Sequence, residues 1–101
     1  MNGFSLETPE QVSKTLAARV KELRLARGWK QATLARRSGV SLASLRRFEE
    51  SGRVSLENLL ELAFALNRLD DFGALLQPPP ASSLAELEAA EKRPARKRGR
   101  I

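Results

Sequence analysis

Between Arg24 and Phe48 the chain carries seven basic side chains, Arg24, Arg27, Lys30, Arg36, Arg37, Arg46 and Arg47, and no acidic one. A surface stretch of that length normally intersperses both signs, so an acid-free run suits contact with a polyanion. The residue types near its end narrow the chemistry. Arg46 and Arg47 carry planar forks that can bond O6 and N7 of one guanine together, and Leu42 and Ala43 offer apolar contact to thymine methyls. At 100° per residue, Leu45 and Phe48 define the inner side of a helix, while Ala43, Arg46, Arg47 and Glu50 lie opposite. The backbone N–H groups at the start of that helix would face phosphate.

Other chemistries are poorly supplied. The 101 residues include no Cys and no His, which removes disulfides, thiolate nucleophiles, Cys/His zinc sites and imidazole bases. Glu49 and Glu50 are adjacent on a helix and so point about 100° apart, unable to share a substrate; Glu49 leans toward the core side and is expected to pair with an Arg of the domain. No enzyme activity, cofactor or metal is expected. Five aromatic residues are too few to stack single-stranded nucleic acid, and Trp29 reads as a core or cap-packing residue rather than a ligand platform. A net charge of +6 and a pI near 10.8 favour duplex DNA. No apolar run is long enough to span a bilayer and no leader pattern opens the chain, so no membrane contact and a cytoplasmic location are expected.

The elements that must hold these side chains read as helices throughout, because apolar residues recur at three and four and no stretch alternates in twos. Thr8-Pro9-Glu10-Gln11 combines a cap, a first-turn Pro and a capping-box Gln, opening a helix that runs to about Ala26 and buries Val12, Leu16, Val20 and Leu23. Gly28 ends it, with Trp29 packing back. A short helix follows from Gln31 to Arg37 or Ser38, with Leu34 and Ala35 inward. The turn Gly39-Val40-Ser41 leads to a third helix, capped by Ser41, from Leu42 to about Glu50. Gly52 stops it, and Ser55 caps a fourth from Leu56 to Leu66 that buries Leu56, Leu59, Leu60, Ala63 and Leu66. A last short helical piece spans Leu69 to Leu76.

Pro78-Pro79-Pro80 breaks the pattern, giving an arm (1–8), a helical domain (9–77) and a flexible tail (78–101). Within the tail, 83–92 reads as a short amphipathic segment with Leu84 and Leu87 on one side, better suited to a partner than to the domain itself. The basic end, Arg93 to Arg100, serves either as a solubilising end or as a nonspecific DNA arm. Phe72, Leu75 and Leu76 offer more apolar area than a terminal helix needs. A two-fold homodimer would bury them and let two reading helices meet the half-sites of an inverted repeat.

Two short helices around a three-residue turn form the angled pair that places its second helix in the major groove. Through Gln31-x-x-Leu34-Ala35, Gly39-Val40-Ser41, Ser44-Leu45 and Arg47-Phe48-Glu49, the chain resembles the phage-repressor or Xre-type helix-turn-helix regulators over roughly residues 12–67. The resemblance implies a compact five-helix, lambda-repressor-like, all-α domain that binds double-stranded operator DNA. It implies a phosphate clamp at Gln31, and base or backbone contacts from Ser41, Leu42, Ala43, Ser44, Arg46 and Arg47, with Arg47 the leading base reader. Arg53, just past the third helix, joins this candidate set. Lys30 departs from the Ser or Thr that usually caps the second helix in that family.

A narrower likeness follows from Phe48 to Leu56, Leu59 to Ala63, Phe72 to Leu76, the Pro-rich joint and Ser83-Leu84 before a basic end. These stretches are similar to HipB-like antitoxins paired with HipA-like kinases. That likeness implies a repressor of its own operon that also holds a kinase toxin inactive. A solitary Xre-type regulator remains open, as does a protein-interaction adaptor with incidental DNA binding; an architectural or RNA-binding role is disfavoured by the scarce aromatics.

Overall fold

The computed structural model describes residues 8–80 and Glu88. Among the described residues 8–80, four helices form: α1 (Pro9–Ala26), α2 (Gln31–Ser38), α3 (Leu42–Ser51) and α4 (Leu56–Ala65), followed by a single 3-10 turn, Leu69–Phe72. The described residues contain no strand. They divide into two compact units, ending and beginning at Asp71 and Phe72.

Local chemistry sets the helix ends. The Thr8 hydroxyl accepts from the Gln11 N–H while the Gln11 side chain accepts from the Thr8 N–H, a reciprocal capping box with Pro9 at the first helical position. At the other end Gly28 takes φ 75°, and the Gly28 and Trp29 N–H groups return to the carbonyls of Leu25 and Arg24, a full Schellman closure. Asn67 closes α4 in the same way, at φ 62°, with the Arg68 N–H on the Ala63 carbonyl at 2.7 Å. Ser41 and Ser55 cap α3 and α4 through the N–H groups of Ser44 and Asn58, and Lys30 makes no side-chain cap on α2.

The core gathers Ala17, Val20, Leu34, Ala35, Val40, Leu45, Phe48, Leu62, Ala63 and Leu66. On α1 the expected face is rotated: Val20 is buried as anticipated, but Val12, Leu16 and Leu23 are half-buried and Ala17 lies deepest. The backbone at Gly52, just after α3, comes so near α1 that a Cβ there would meet the Lys14 nitrogen at 3.0 Å. On α4 the burial centres on Leu62, Ala63 and Leu66, while Leu59 and Leu60 are half-buried and Leu56 is exposed, contrary to the expected face.

The expected fifth helix reduces to the 3-10 turn. Bonds run only three residues back, from Asp71 to Arg68, Leu75 to Phe72 and Gln77 to Ala74, and Leu76 sits at φ 62°. Between the Asn67 terminator and Pro78 there is too little chain, with Gly73 in its middle, to nucleate a helix that buries no face. The N-terminal arm up to residue 7, the 83–92 segment with Leu84 and Leu87 (Glu88 apart), and the basic end lie outside the described residues.

Gly39 and Gly52 both take positive φ, but only Gly52 is hemmed in. Gly52→Ala is expected to destabilise the domain by about 2–5 kcal/mol, from left-handed strain plus overpacking against α1. Gly39→Ala, with open space around it, is expected to cost only about 1–2 kcal/mol. Urea denaturation midpoints of the two variants check the difference.

Candidate nucleic-acid interface

The turn between α2 and α3 is held by a residue the sequence pattern does not flag. Buried Ser38 donates its hydroxyl to the Ala35 carbonyl and accepts the Val40 N–H, both at 3.2 Å, so the polar groups of the turn are satisfied inside the core edge. Gly39 occupies the left-handed region and Val40 is buried, which swings Ser41 out as the cap of α3. The Ser41 hydroxyl also donates to the Ser44 hydroxyl at 2.9 Å.

On α3, Leu45 and Phe48 are buried, and Ala43, Arg46, Arg47 and Glu50 face outward as the periodicity requires. Leu42 is half-buried and packs partly on the core, so only part of its surface remains for a ligand. Ser44, Arg47 and Arg53 line one surface cleft of about 260 Å³ with Val54, Ser55 and Asn58, where α4 begins. The Ser51 hydroxyl ties its two arginines together through the backbone, donating to the Arg47 carbonyl at 2.7 Å and accepting the Arg53 N–H at 3.2 Å. The sequence pattern does not mark Ser51; the spacing Ser55-x-x-Asn58, a cap and the third residue of its helix, is the signal that points to Asn58.

The seven cations of the acid-free run separate into two groups. Arg24 is buried: its Nε and Nη2 donate to the two Glu49 carboxylate oxygens at 2.8 and 2.9 Å, and its Nη1 donates to the Trp29 carbonyl at 2.9 Å. Arg27 donates to the Leu66 carbonyl, and both it and Arg37 lie over the Trp29 ring, 5.3 and 4.6 Å from its centre. Trp29 is thus a packing residue. Lys30, Arg36, Arg46 and Arg47 remain exposed, with no hydrogen bond or ion pair to other described residues.

Gln31 stands apart from the cleft. Its Nε2 donates to Glu49 Oε1 at 2.9 Å, which fixes the amide and leaves one of its two N–H groups for another acceptor. Arg24 and Glu49 side chains are only 7% and 5% exposed. Burial pushes the Glu49 carboxyl up, but hydrogen bonds from Arg24 and Gln31 and the charges of Arg24 and Lys21 outweigh it, holding the group below its ordinary value of 4.5.

A helix-turn-helix family model matches residues 20–72, from the middle of α1 through the 3-10 turn. The chain belongs to the Xre/lambda-repressor-type helix-turn-helix family. No curated protein and no solved structure gives a significant match. As a helix-turn-helix protein it is a DNA-binding transcription regulator, and the family's domain is a regulator module rather than an enzyme. α2 and α3 are its angled pair. No helix among the described residues is long and apolar enough to cross a membrane, and no metal-holding cluster of acidic residues occurs among them.

Glu49→Ala leaves a covered guanidinium without its counter-charge and is expected to cost about 3–5 kcal/mol, while the double replacement Arg24→Leu/Glu49→Leu recovers most of that loss. Because the Glu49 pKa is lowered on folding, its contribution is complete above the ordinary carboxylate range and fades as pH falls through the folded value. Thermal melts between pH 6 and 2 are expected to show a steeper acid loss for the natural sequence than for the double variant.

Proposed function

We propose that this regulator is a sequence-specific repressor of its own operon, acting as a homodimer on an inverted repeat and serving as the antitoxin of a HipA-like kinase. The observation that carries the DNA-reading part is the outer side of α3, where Arg46 and Arg47 are exposed, with no hydrogen bond or ion pair among the described residues, beside Ala43. Arg47 reads a base, with Arg46, Ala43 and the free part of Leu42 alongside. The cleft it shares with Arg53, Ser44 and Ser55 takes a phosphate, as do the N–H groups at the starts of α3 and α4. Ser41 remains first a cap, and Gln31 supports a second phosphate through its remaining N–H.

One such domain reads few base pairs, so a dyad-related copy supplies the affinity and specificity that a repressor needs. Exposed Leu75 and Leu76, the latter 94% accessible, with half-buried Phe72, support their assignment to the dimer contact. The kinase is held through Leu84 and Leu87, and the protein works in the cytoplasm. A solitary Xre-type regulator shares every core feature of this reading.

Arg47→Ala is expected to lose about 1–3 kcal/mol on the operator and to relax base preference at one position. Arg53→Ala is expected to weaken binding to all duplexes alike and to lower the salt slope by about 1. Titrations on operator and random duplex at several salt concentrations separate the two, and equal losses on random DNA for both variants refute base reading by Arg47. Co-expression with a HipA-like kinase is expected to give a complex that removal of residues 81–101 releases; persistence after removal would assign the contact to the core.

A further inference from the structure

α2 and α3 hold two carboxylates between them, Glu49 and Glu50. Glu49 is covered and bonded to Arg24 and Gln31. Glu50 is exposed and makes no hydrogen bond or ion pair to other described residues, although Arg46 and Arg47 stand four and three positions before it on the same helix. Its place is electrostatically costly. It lies in the last turn of α3, where the helix dipole disfavours an anion, and on the side that meets a duplex, where phosphates repel it. The described cations do not offset these costs, which points to a donor on the duplex.

Helical geometry places Glu50 at the centre of the outer side. With Arg46 as origin at 100° per residue, buried Leu45 and Phe48 fall at about 260° and about 200°, so straight outward is about 50°. Glu50 and Ala43 lie on that midline, at about 40° and about 60°, and Arg46 and Arg47 flank it at about 0° and about 100°. The flank of Arg47 leads to the cleft at the start of α4. The midline of a helix seated in the major groove points at base edges, while long side chains on its flanks reach either bases or phosphates. Ala43 and Glu50 are two turns apart, about 10 Å along the axis. A helix entering with its first turn foremost brings short Ala43 close to the groove floor, and the longer Glu50 side chain makes up the greater distance at the far end.

An ionised carboxylate only accepts, so it bonds an amino group, which cytosine and adenine present in the major groove and guanine and thymine do not. Adenine sets its amino group beside the N7 acceptor, which suits an amide that both donates and accepts and repels a carboxylate. Cytosine presents the amino group alone. We infer that Glu50 is a specificity-determining residue: its carboxylate accepts a hydrogen bond from the 4-amino group of one cytosine per bound domain, and its charge turns away duplexes without that donor. The inference rests on the base-reading assignment of α3 above and adds a position that Arg46 and Arg47 do not read.

The full chain is tested by recovering bound sequences from a pool of random duplexes. The natural sequence is expected to select cytosine over the other three bases by at least about fivefold at one position, and Glu50→Ala to lose that selection while keeping the positions that Arg47→Ala relaxes. Glu50→Gln is expected to shift the same position toward adenine. In the recovered duplex, replacing that cytosine by pyrimidin-2-one, which lacks the amino group, is expected to weaken the natural sequence at least about fivefold and Glu50→Ala less than about twofold. Unchanged base preference in Glu50→Ala, or a uniform tightening on all duplexes, would overturn the inference; a preference that Arg47→Ala still alters would leave the reading of α3 intact. Arg47→Ala and Glu50→Ala both selecting as the natural sequence does would overturn both.

Discussion

The covered pair of Arg24 and Glu49 is the constraint on which the other parts of the domain depend. Glu49 lies on α3, the helix that carries the reading residues, and Arg24 lies in the last turn of α1, so their bidentate bond fixes the register of one helix against the other. The same carboxylate holds Gln31, the first residue of α2, and the same guanidinium holds the Trp29 carbonyl in the link between α1 and α2. Three helices therefore converge on one ion pair. Such a pair contributes less to net stability than an apolar replacement would, because both charges lose water, but removing either partner strands the other. Its contribution to this chain is placement: α3 cannot roll about its axis without breaking a two-pronged bond.

From this anchor the outer side of α3 follows. With Phe48 buried and Glu49 held, Arg46 and Arg47 have nowhere to go but outward. The Ser51 hydroxyl then couples the Arg47 carbonyl to the Arg53 N–H, and Ser55 starts α4 beside them. The result is one cleft furnished by the end of one helix and the beginning of the next, basic and hydroxyl-rich, with no carboxylate in its lining.

Much of this was legible in the sequence where the signal is local. Thr8-Pro9-Glu10-Gln11, Ser41, Ser55, Gly28, Gly39 and Gly52 mark helix ends through hydrogen bonds and φ values that involve only near neighbours, and the helices begin and end at those marks. The outward position of Arg46 and Arg47 was legible too, because Leu45 and Phe48 leave α3 one apolar side. What depended on distant partners was not. α4 carries large apolar residues on most of its circumference, so periodicity cannot choose among Leu56, Leu59, Leu60, Leu62 and Leu66; the packed neighbours choose. Ala17, rather than Val12 or Leu16, is the deepest residue of α1, a choice made by the helices packed against it and invisible along the chain. Arg24 looked like one more surface cation, and only its partner twenty-five residues away reveals otherwise.

The link between α1 and α2 has a practical corollary. With one Trp and no Tyr, the chain owes its near-ultraviolet emission to a single indole, stacked by guanidinium groups from Arg27 beyond one helix and Arg37 on the next. Cationic stacking of this kind is sensitive to a shift of an ångström or two. The molecule thus carries its own optical gauge, seated where the first helix hands over to the second, and needs no attached dye to show whether that joint stays closed.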